Sequence, residues 1–404
     1  MKRLLYGVLA IILLAVACRQ SATPTVAPAV EWPAPIPSEY QATYDDLNAA
    51  LDEFIASLPQ TGGTPPIFAA ELSYANGNIG ETLLKPEVLP LVRQQLDALQ
   101  GMGVQGVVVA ISVPLLQPDY PRSEEYLEFF KQVAEEVRAR GMILLVESGP
   151  IFSGTLYSPV SVDWSDYTRD SFLQATQDQL LTIANEVRPD FLQIANEPSI
   201  VAMLTGFENT PEEYLGFIKS TVEKIDKSTG IQLGAGAGTW EDPAYMEGLM
   251  QLAGLDFIDL HIYPIGRDGA LLQFASQTAQ LARASGKKVT ISESWLYKVD
   301  SSELGEVSGD FETIYSRDAW SFFEPLDEKF IQALTLMARA DEIEFVSFFW
   351  TRYFFAYLDY EQYHTLSAPE INRAINQASV AAAENGTLSP LGEFFKAWIT
   401  EQTK

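Results

Sequence analysis

Two short strings in this 404-residue chain hold the residue types for paired acid and nucleophile chemistry. Gln193-Ile194-Ala195-Asn196-Glu197-Pro198 and Thr290-Ile291-Ser292-Glu293-Ser294-Trp295 each run through small or apolar residues into a carboxylate. Such a run describes a buried strand delivering a glutamate to its carboxyl end. Two glutamates facing each other across a cleft can split an acetal. One protonates the departing oxygen while the other attacks the carbon or activates water against it.

A repeating scaffold must bring those two strings together. Apolar runs at Ile67–Leu72, Val104–Val113, Met142–Val146, Phe191–Ala195, Ile231–Ala237, Phe257–His261, Val289–Ser292 and Phe345–Trp350 read as strands. Helical spacing follows them at Glu87–Gln100, Ser123–Arg140, Asp170–Glu186, Pro211–Thr229, Pro243–Ala253, Ala270–Ser285, Asp327–Asp341 and Pro390–Ile399. Gly101, Gly141, Gly230 and Gly286 stand where helices stop before the next strand. Eight β-then-α units predict an α/β protein, a single (β/α)8 TIM barrel; an open doubly wound sheet is the alternative. A helix over Tyr44–Leu58, with Leu47, Leu51, Phe54 and Ile55 on one side, precedes the barrel and is placed to close one of its ends.

In a barrel of this kind the active site lies at the carboxyl ends of the strands. Glu197 then falls just past strand four and Glu293 just past strand seven. Glu71, Glu147, Trp240, His261, Tyr263 and Trp350 reach the same face, and the long segments 148–167, 295–325 and 351–369 wall it. Glu71 and Glu147 are candidates to bind sugar hydroxyls or to pair with arginines. Trp350 and Trp295 offer flat apolar faces to sugar C–H groups, with Trp240, Tyr297 and Tyr353 as weaker platforms. The run Gly234-Ala235-Gly236-Ala237-Gly238 suggests a phosphate loop, but it lies inside a strand and no helix opens after it; tight strand packing accounts for it better. With two histidines and one cysteine in the chain, no metal and no cofactor is expected.

These residues resemble those of the clan A glycoside hydrolases, retaining barrel enzymes with a general acid/base after strand four and a nucleophile at strand seven. Asn196-Glu197-Pro198 matches the first motif, Ser292-Glu293 the second, His261-Ile262-Tyr263 the strand-six pair and Trp350 the strand-eight tryptophan. The resemblance covers the chain from about residue 60 onward. It implies that Glu197 is the acid/base, that Glu293 is the nucleophile with Tyr263 bonded to it, that Asn196 binds the sugar 2-hydroxyl, and that His261 contacts substrate. Two positions depart from the pattern. The strand-two end reads Ser112-Val113-Pro114 in place of an arginine that supports the nucleophile, and Glu147-Ser148-Gly149 stands where a histidine often follows strand three. The competing reading is a surface protein that holds glycans on the same scaffold without cleaving them.

The amino terminus suggests a place. Lys2 and Arg3, the apolar run Leu4 to Val16, and Ala15-Val16-Ala17-Cys18 have the order of a secretory signal, and they resemble a bacterial lipoprotein signal with Cys18 as the lipidated residue. The expected organisation is a signal over 1–18, a proline-rich tether over 19–38 and the catalytic domain over 39–404, held outside the cytoplasm by lipid. The chain carries 26 basic and 54 acidic residues, a net charge of −28, or −30 once Lys2 and Arg3 leave with the signal. That field disfavours nucleic acid and acidic polysaccharides and leaves neutral glycans as partners.

Overall fold

Eight apolar runs pair in chain order, each parallel to the next, and the last closes on the first. The computed structural model describes residues 33–404 except 156–157, 265–268, 300–302 and 304–310. The expected signal, Cys18 and the tether up to residue 32 lie outside the described residues. The strands are β1 (Ile67–Glu71), β2 (Gly106–Ala110), β3 (Ile143–Glu147), β4 (Phe191–Gln193), β5 (Gln232–Gly238), β6 (Phe257–Ile262), β7 (Lys288–Ser294) and β8 (Phe345–Phe348). Closure of this ring excludes the open-sheet alternative. The ladder also runs past some strand ends: Ile194 N–H bonds Gly234 O at 2.7 Å and Gly236 N–H bonds Ala195 O at 2.9 Å, carrying the chain toward Glu197.

The helices are α1 (Gln41–Ser57), α2 (Val88–Met102), α3 (Ser123–Ala139), α4 (Arg169–Thr182), α5 (Pro198–Thr205), α6 (Pro211–Val222), α7 (Pro243–Gln251) and α8 (Gly269–Ala284), followed by longer helices at Glu324–Asp341, Ala368–Glu384 and Pro390–Gln402. The sequence reading assigns no helix to α5 or to Ala368–Glu384. The stop expected at Gly101 moves to Gly103, which takes φ +92° and lets α2 complete another half turn. The long helix expected over Pro211–Thr229 breaks after Val222, and Asp226 caps a separate short turn at Lys227–Thr229. Helix α1 packs Leu47, Leu51 and Phe54 inward against the outer helices α8 and Glu324–Asp341, extending the helical shell instead of closing an end of the barrel. Lys329 bonds Asn48 at 2.7 Å across that contact.

The barrel lumen has two storeys. Ala69, Val108, Leu145, Phe191, Phe257 and Phe345 form an apolar plug, with the Phe191 ring 5.5 Å from Phe257 and 6.0 Å from Phe345. Burying each ring contributes about 1.5–3 kcal/mol. Side chains two residues apart on a strand share a face. The plug therefore dictates what lies above it: Glu71, Glu147, Gln193, Asp259 and Ser347, all buried. Five polar side chains stand on an oily floor. At β5 the lumen is thinned on purpose of packing, for a Cβ on Gly234 would lie 2.2 Å from the Phe257 ring and one on Gly236 2.2 Å from Asp259 O. The glycine run is thus a packing device, as its position inside a strand suggests.

Candidate active site

A register shift in the pairing of β6 with β7 decides which side chains meet. Asp259 pairs with Thr290, yet His261 pairs with Glu293, so β7 carries one extra residue over that interval. Strict alternation from Thr290 through Ser292 would send Glu293 outward. The bulge turns it back toward the lumen, the usual effect of an added residue beside a functional group. Glu293 therefore lies inside β7, which runs to Ser294, and not beyond the strand end. Sequence periodicity has no means of showing this.

Glu197 arrives differently. It is the residue before α5, with Pro198 opening the helix, and its backbone is left-handed at φ 37° and ψ 64°. A non-glycine residue in that region is uncommon and costs on the order of 1 kcal/mol or more. The next turn of helix holds it there, as Ile200 and Val201 N–H groups both bond Glu197 O at 3.0 Å. This geometry aims the side chain across the lumen at β6.

There the two carboxylates share one ring. His261 Nδ1 lies 2.8 Å from Glu197 Oε1 and 3.5 Å from Glu293 Oε2. Tyr263 donates its hydroxyl to Glu293 Oε2 at 2.7 Å, the bond that the resemblance implies. Asn196 donates Nδ2–H to Gln193 Oε1 at 2.9 Å, and Gln193 donates to Asp259 Oδ2 at 2.5 Å. Ser292 Oγ donates to Asp259 Oδ2 at 2.6 Å and lies 3.0 Å from His261 Nε2; Thr290 Oγ1 also bonds Asp259. Gln193, Asp259, Thr290 and Ser292 were not among the expected site residues. The signal for Asp259 was present, since it lies two residues before His261 on one strand and so on the same face.

Other expected contacts fall elsewhere. His261 is 1% exposed and lies beneath the carboxylates, so the structure gives it Glu197 and Glu293 as partners in place of a sugar. Glu71 and Glu147 are buried at the same level, and among the described residues neither pairs with an arginine; Glu71 Oε1 accepts from Asn76 at 2.9 Å. Trp295 is 1% exposed, stacked on Tyr353 at 5.4 Å with Lys298 Nζ 5.2 Å from its ring centre. It packs the wall behind the cleft, anchored by the ion pairs of Lys298 with Asp327 and Asp318, and its ring is not offered to a ligand. Tyr353 is buried with it. Tyr297 stacks on Tyr263 at 5.0 Å, and Trp240, 40% exposed, lies 6.1 Å from Tyr263. Trp350 is half-buried against Phe349 and Tyr315, and the Arg352 guanidinium lies 4.3 Å over its ring.

Glu147, His261 and Glu293 bring ligand-type atoms within 4.8 Å of one another. Both ring nitrogens of His261 are already engaged, with Glu197 and with Ser292, so a cation would have to break an existing bond to use it. The arrangement is that of a proton-managing site.

Burial sets the electrostatics. It pushes the Glu71 carboxyl up to about 8, with the negative charge of Glu293 adding and the Asn76 bond opposing. Glu147 is raised well above the usual range by burial, then by Glu293. Glu293 is raised by burial, while the His261 charge pulls it back down and Glu197 pushes it up. For His261, burial works against the charged ring, but Glu293, Glu197 and the bonds to Asp259 and Glu197 outweigh it and hold the ring well above the ordinary histidine value. Asp318 is raised by burial to about 7, against the pull of Lys298.

These shifts have one sign in their effect on stability. A group that binds its proton more tightly when folded contributes fully below its unfolded value and loses that contribution as pH climbs through its folded one. For Glu71 the window is 4.5 to about 8, and for Asp318 it is 3.8 to about 7. His261 acts the same way above 6.5. Surface acids that are lowered, Glu136 by bonds from Arg140 and Arg93 and Glu213 by the Thr210 backbone N–H and then Arg169, lose their contribution only on the acid side of 4.5. The melting temperature is therefore expected to fall by several degrees between pH 5 and pH 8, and Glu71→Gln should flatten that slope. A melting temperature that rises over the interval would contradict the arrangement.

No protein-family model and no curated protein matches the sequence. Solved structures do resemble it. The exo-β-1,4-mannosidase Op5Man5 from Opitutaceae bacterium strain TAV5 superposes with a TM-score of 0.51 at 13% identity, over 86% of this chain and 62% of that one. A GH30 endoxylanase from Clostridium papyrosolvens C71 gives 0.44 at 13% identity, over 84% and 73%. A family 1 β-glucosidase from Thermotoga maritima gives 0.47 at 11%, over 85% and 98%. The likeness is one of fold. These neighbours are clan A glycoside hydrolases with eight-stranded parallel barrels, and the mannosidase shares its barrel with this chain.

Proposed function

We propose that the protein is a retaining glycoside hydrolase acting on β-linked neutral poly- or oligosaccharides, with Glu197 as acid/base and Glu293 as nucleophile. The observation that carries this reading is the single His261 nitrogen in contact with both glutamates. Those two contacts limit how far apart the facing oxygens of the pair can lie, and a close pair favours double displacement over the wider spacing of roughly 6.5–9.5 Å that an inverting pair leaves for water. In the first step Glu197 protonates the leaving oxygen while Glu293, held by Tyr263, attacks the anomeric carbon. In the second, Glu197 takes a proton from the water that releases the sugar. Incubation with a panel of neutral polysaccharides, followed by NMR of the first-formed product anomer, tests the proposal. Net retention supports it; inversion rejects the mechanism, and binding without products selects the glycan-holding alternative.

Trp350 carries the proposed sugar platform. Trp350→Ala is expected to weaken transition-state binding by about 1–3 kcal/mol, measured as kcat/KM on the best substrate of that panel. Unchanged kinetics with a lowered melting temperature would make the ring a packing partner of Arg352 instead.

We further propose that Cys18 anchors the enzyme at the outer face of a bacterial membrane through lipid, each buried methylene contributing about 0.8 kcal/mol. Cys18→Ser should release the protein into the soluble fraction. A wild-type amino-terminal peptide without lipid mass would refute the anchor.

A further inference from the structure

The geometry points to Asp259 as a positioning residue that keeps His261 doubly protonated, so that one imidazolium lies between the two catalytic carboxylates where related barrels use an arginine. This rests on the roles proposed above for Glu197 and Glu293, but the protonation state itself can be read without any substrate.

The hydrogen bonds assign the protons. Ser292 has a single hydroxyl hydrogen and two neighbours that could take it, Asp259 Oδ2 at 2.6 Å and His261 Nε2 at 3.0 Å. The shorter contact is to a carboxylate, and charge-assisted bonds to a carboxylate are the stronger kind. The hydroxyl hydrogen goes to Asp259, which leaves the Ser292 oxygen as an acceptor facing Nε2. Gln193 presents a donor to this side of the ring, but that donor lies closer to the Asp259 carboxylate, at 2.5 Å, than to His261 Nε2, at 3.3 Å. Its Oε1 is taken by Asn196, which fixes the amide so that Nε2 faces the ring at 3.3 Å and donates to Asp259. Nε2 thus meets an accepting hydroxyl oxygen, with the Asp259 carboxylate at 3.3 Å behind it. On the other side Nδ1 meets only carboxylate oxygens, from Glu197 and Glu293. Acceptors on both sides of a buried ring call for hydrogens on both nitrogens.

Charge counting agrees. Around His261 stand Glu197 after β4, Asp259 on β6 itself and Glu293 on β7, with Glu147 on β3 at 3.8 Å from Nε2 and Glu71 on β1, the last two pushed by burial toward their neutral forms. The Tyr263 hydroxyl also faces Glu293. Ser112-Val113-Pro114 offers no cation, and among the described residues His261 is the basic side chain in contact with these acids. Asp259 lies beside the ring with its acceptor positions filled. It accepts from Gln193, Ser292 Oγ, Ser292 N–H at 3.1 Å and Thr290, a full set for a buried carboxylate.

The test is side-chain nitrogen NMR of the full-length protein. The chain has two histidines; His364→Gln, an exposed residue with no assigned role, leaves His261 as the sole imidazole. At pH 7.5 both ring nitrogens are expected to show the protonated signature. Asp259→Asn, which keeps the shape and removes the charge, should convert one nitrogen to the unprotonated signature. It should also lower kcat/KM above neutral pH by about tenfold or more and move the alkaline limb of the pH profile down by about one unit. Ser292→Ala should leave the ring doubly protonated, because Asp259 remains. A wild-type spectrum with one unprotonated nitrogen overturns the inference without any variant, and so does Asp259→Asn with an unchanged spectrum and profile. If Asp259→Asn does not fold, Asp259→Ser removes the same charge with less bulk and carries the same expectations. Absence of hydrolysis on every glycan would reject the proposed activity and leave the spectrum to decide the state of His261.

Discussion

Glu293→Ala is expected to lose turnover on every glycoside tried, by on the order of 10⁵- to 10⁶-fold, the scale on which deleting a nucleophile disables an enzyme. The reason lies in the position of the side chain. The bulge in β7 places Glu293 beside His261 and under the Tyr263 hydroxyl, so no neighbouring acid can take over the attack without rebuilding the strand. Glu147 is close, but burial and then the charge of Glu293 raise its carboxyl well above the usual range, which disfavours the anion that attack requires. Added azide should restore part of the rate by occupying the vacated space, and the azide product should have the anomeric configuration opposite to that of the substrate. Steady-state rates with and without azide, and NMR of the product, check both parts. Loss of less than about a hundredfold would show that another group attacks.

Glu197→Ala should behave differently, because an acid is needed only by a leaving group that cannot depart unaided. Its expected cost is about 10²- to 10⁴-fold on natural glycans and far less on aryl glycosides whose phenolates leave without a proton. Azide should rescue this variant too, now with retention. The comparison uses one alanine variant and a series of leaving groups of graded acidity. Equal losses across the series would remove Glu197 from the acid/base role. The left-handed backbone at Glu197 adds a second expectation within the same experiment: alanine keeps the Cβ and with it the same strain, so apart from the lost His261 bond the variant should fold about as well as the wild type, and a large drop in melting temperature would mean that the side chain serves the fold.

Much of this site could be read from residue order alone, and the reasons are physical. Strands β1 to β8 were legible because strands covered on both faces are nearly continuous apolar runs, and the Asn196-Glu197-Pro198 string marks an abrupt exit from one of them. What could not be read is the inward turn of Glu293, which depends on one extra residue between two pairing positions. The left-handed turn at Glu197 was hidden for a similar reason, since a proline after it restricts the backbone without choosing this region. Trp295 illustrates a different failure. A tryptophan one residue beyond a strand suggests a platform, but its exposure depends on what the distant Lys298, Tyr353 and Asp327 build against it. Asp259 is marked in the sequence, since period-two alternation places it on the face of His261 and it is a charged residue inside a strand that otherwise reads as core.

The bare backbone of β5 bears on how such a chain can change. A methyl group at Gly234 would strike the aromatic plug, one at Gly236 the main chain of Asp259, and one at Gly238 the Trp240 ring at 2.4 Å. Each glycine is therefore tied to a different tier of the molecule, from its oily base through its charged centre to its rim. Drift along this strand is closed off, and divergence toward new ligands has to proceed through the segments above the strand ends, which can lengthen, shorten or be exchanged while the buried polar floor below them is inherited intact.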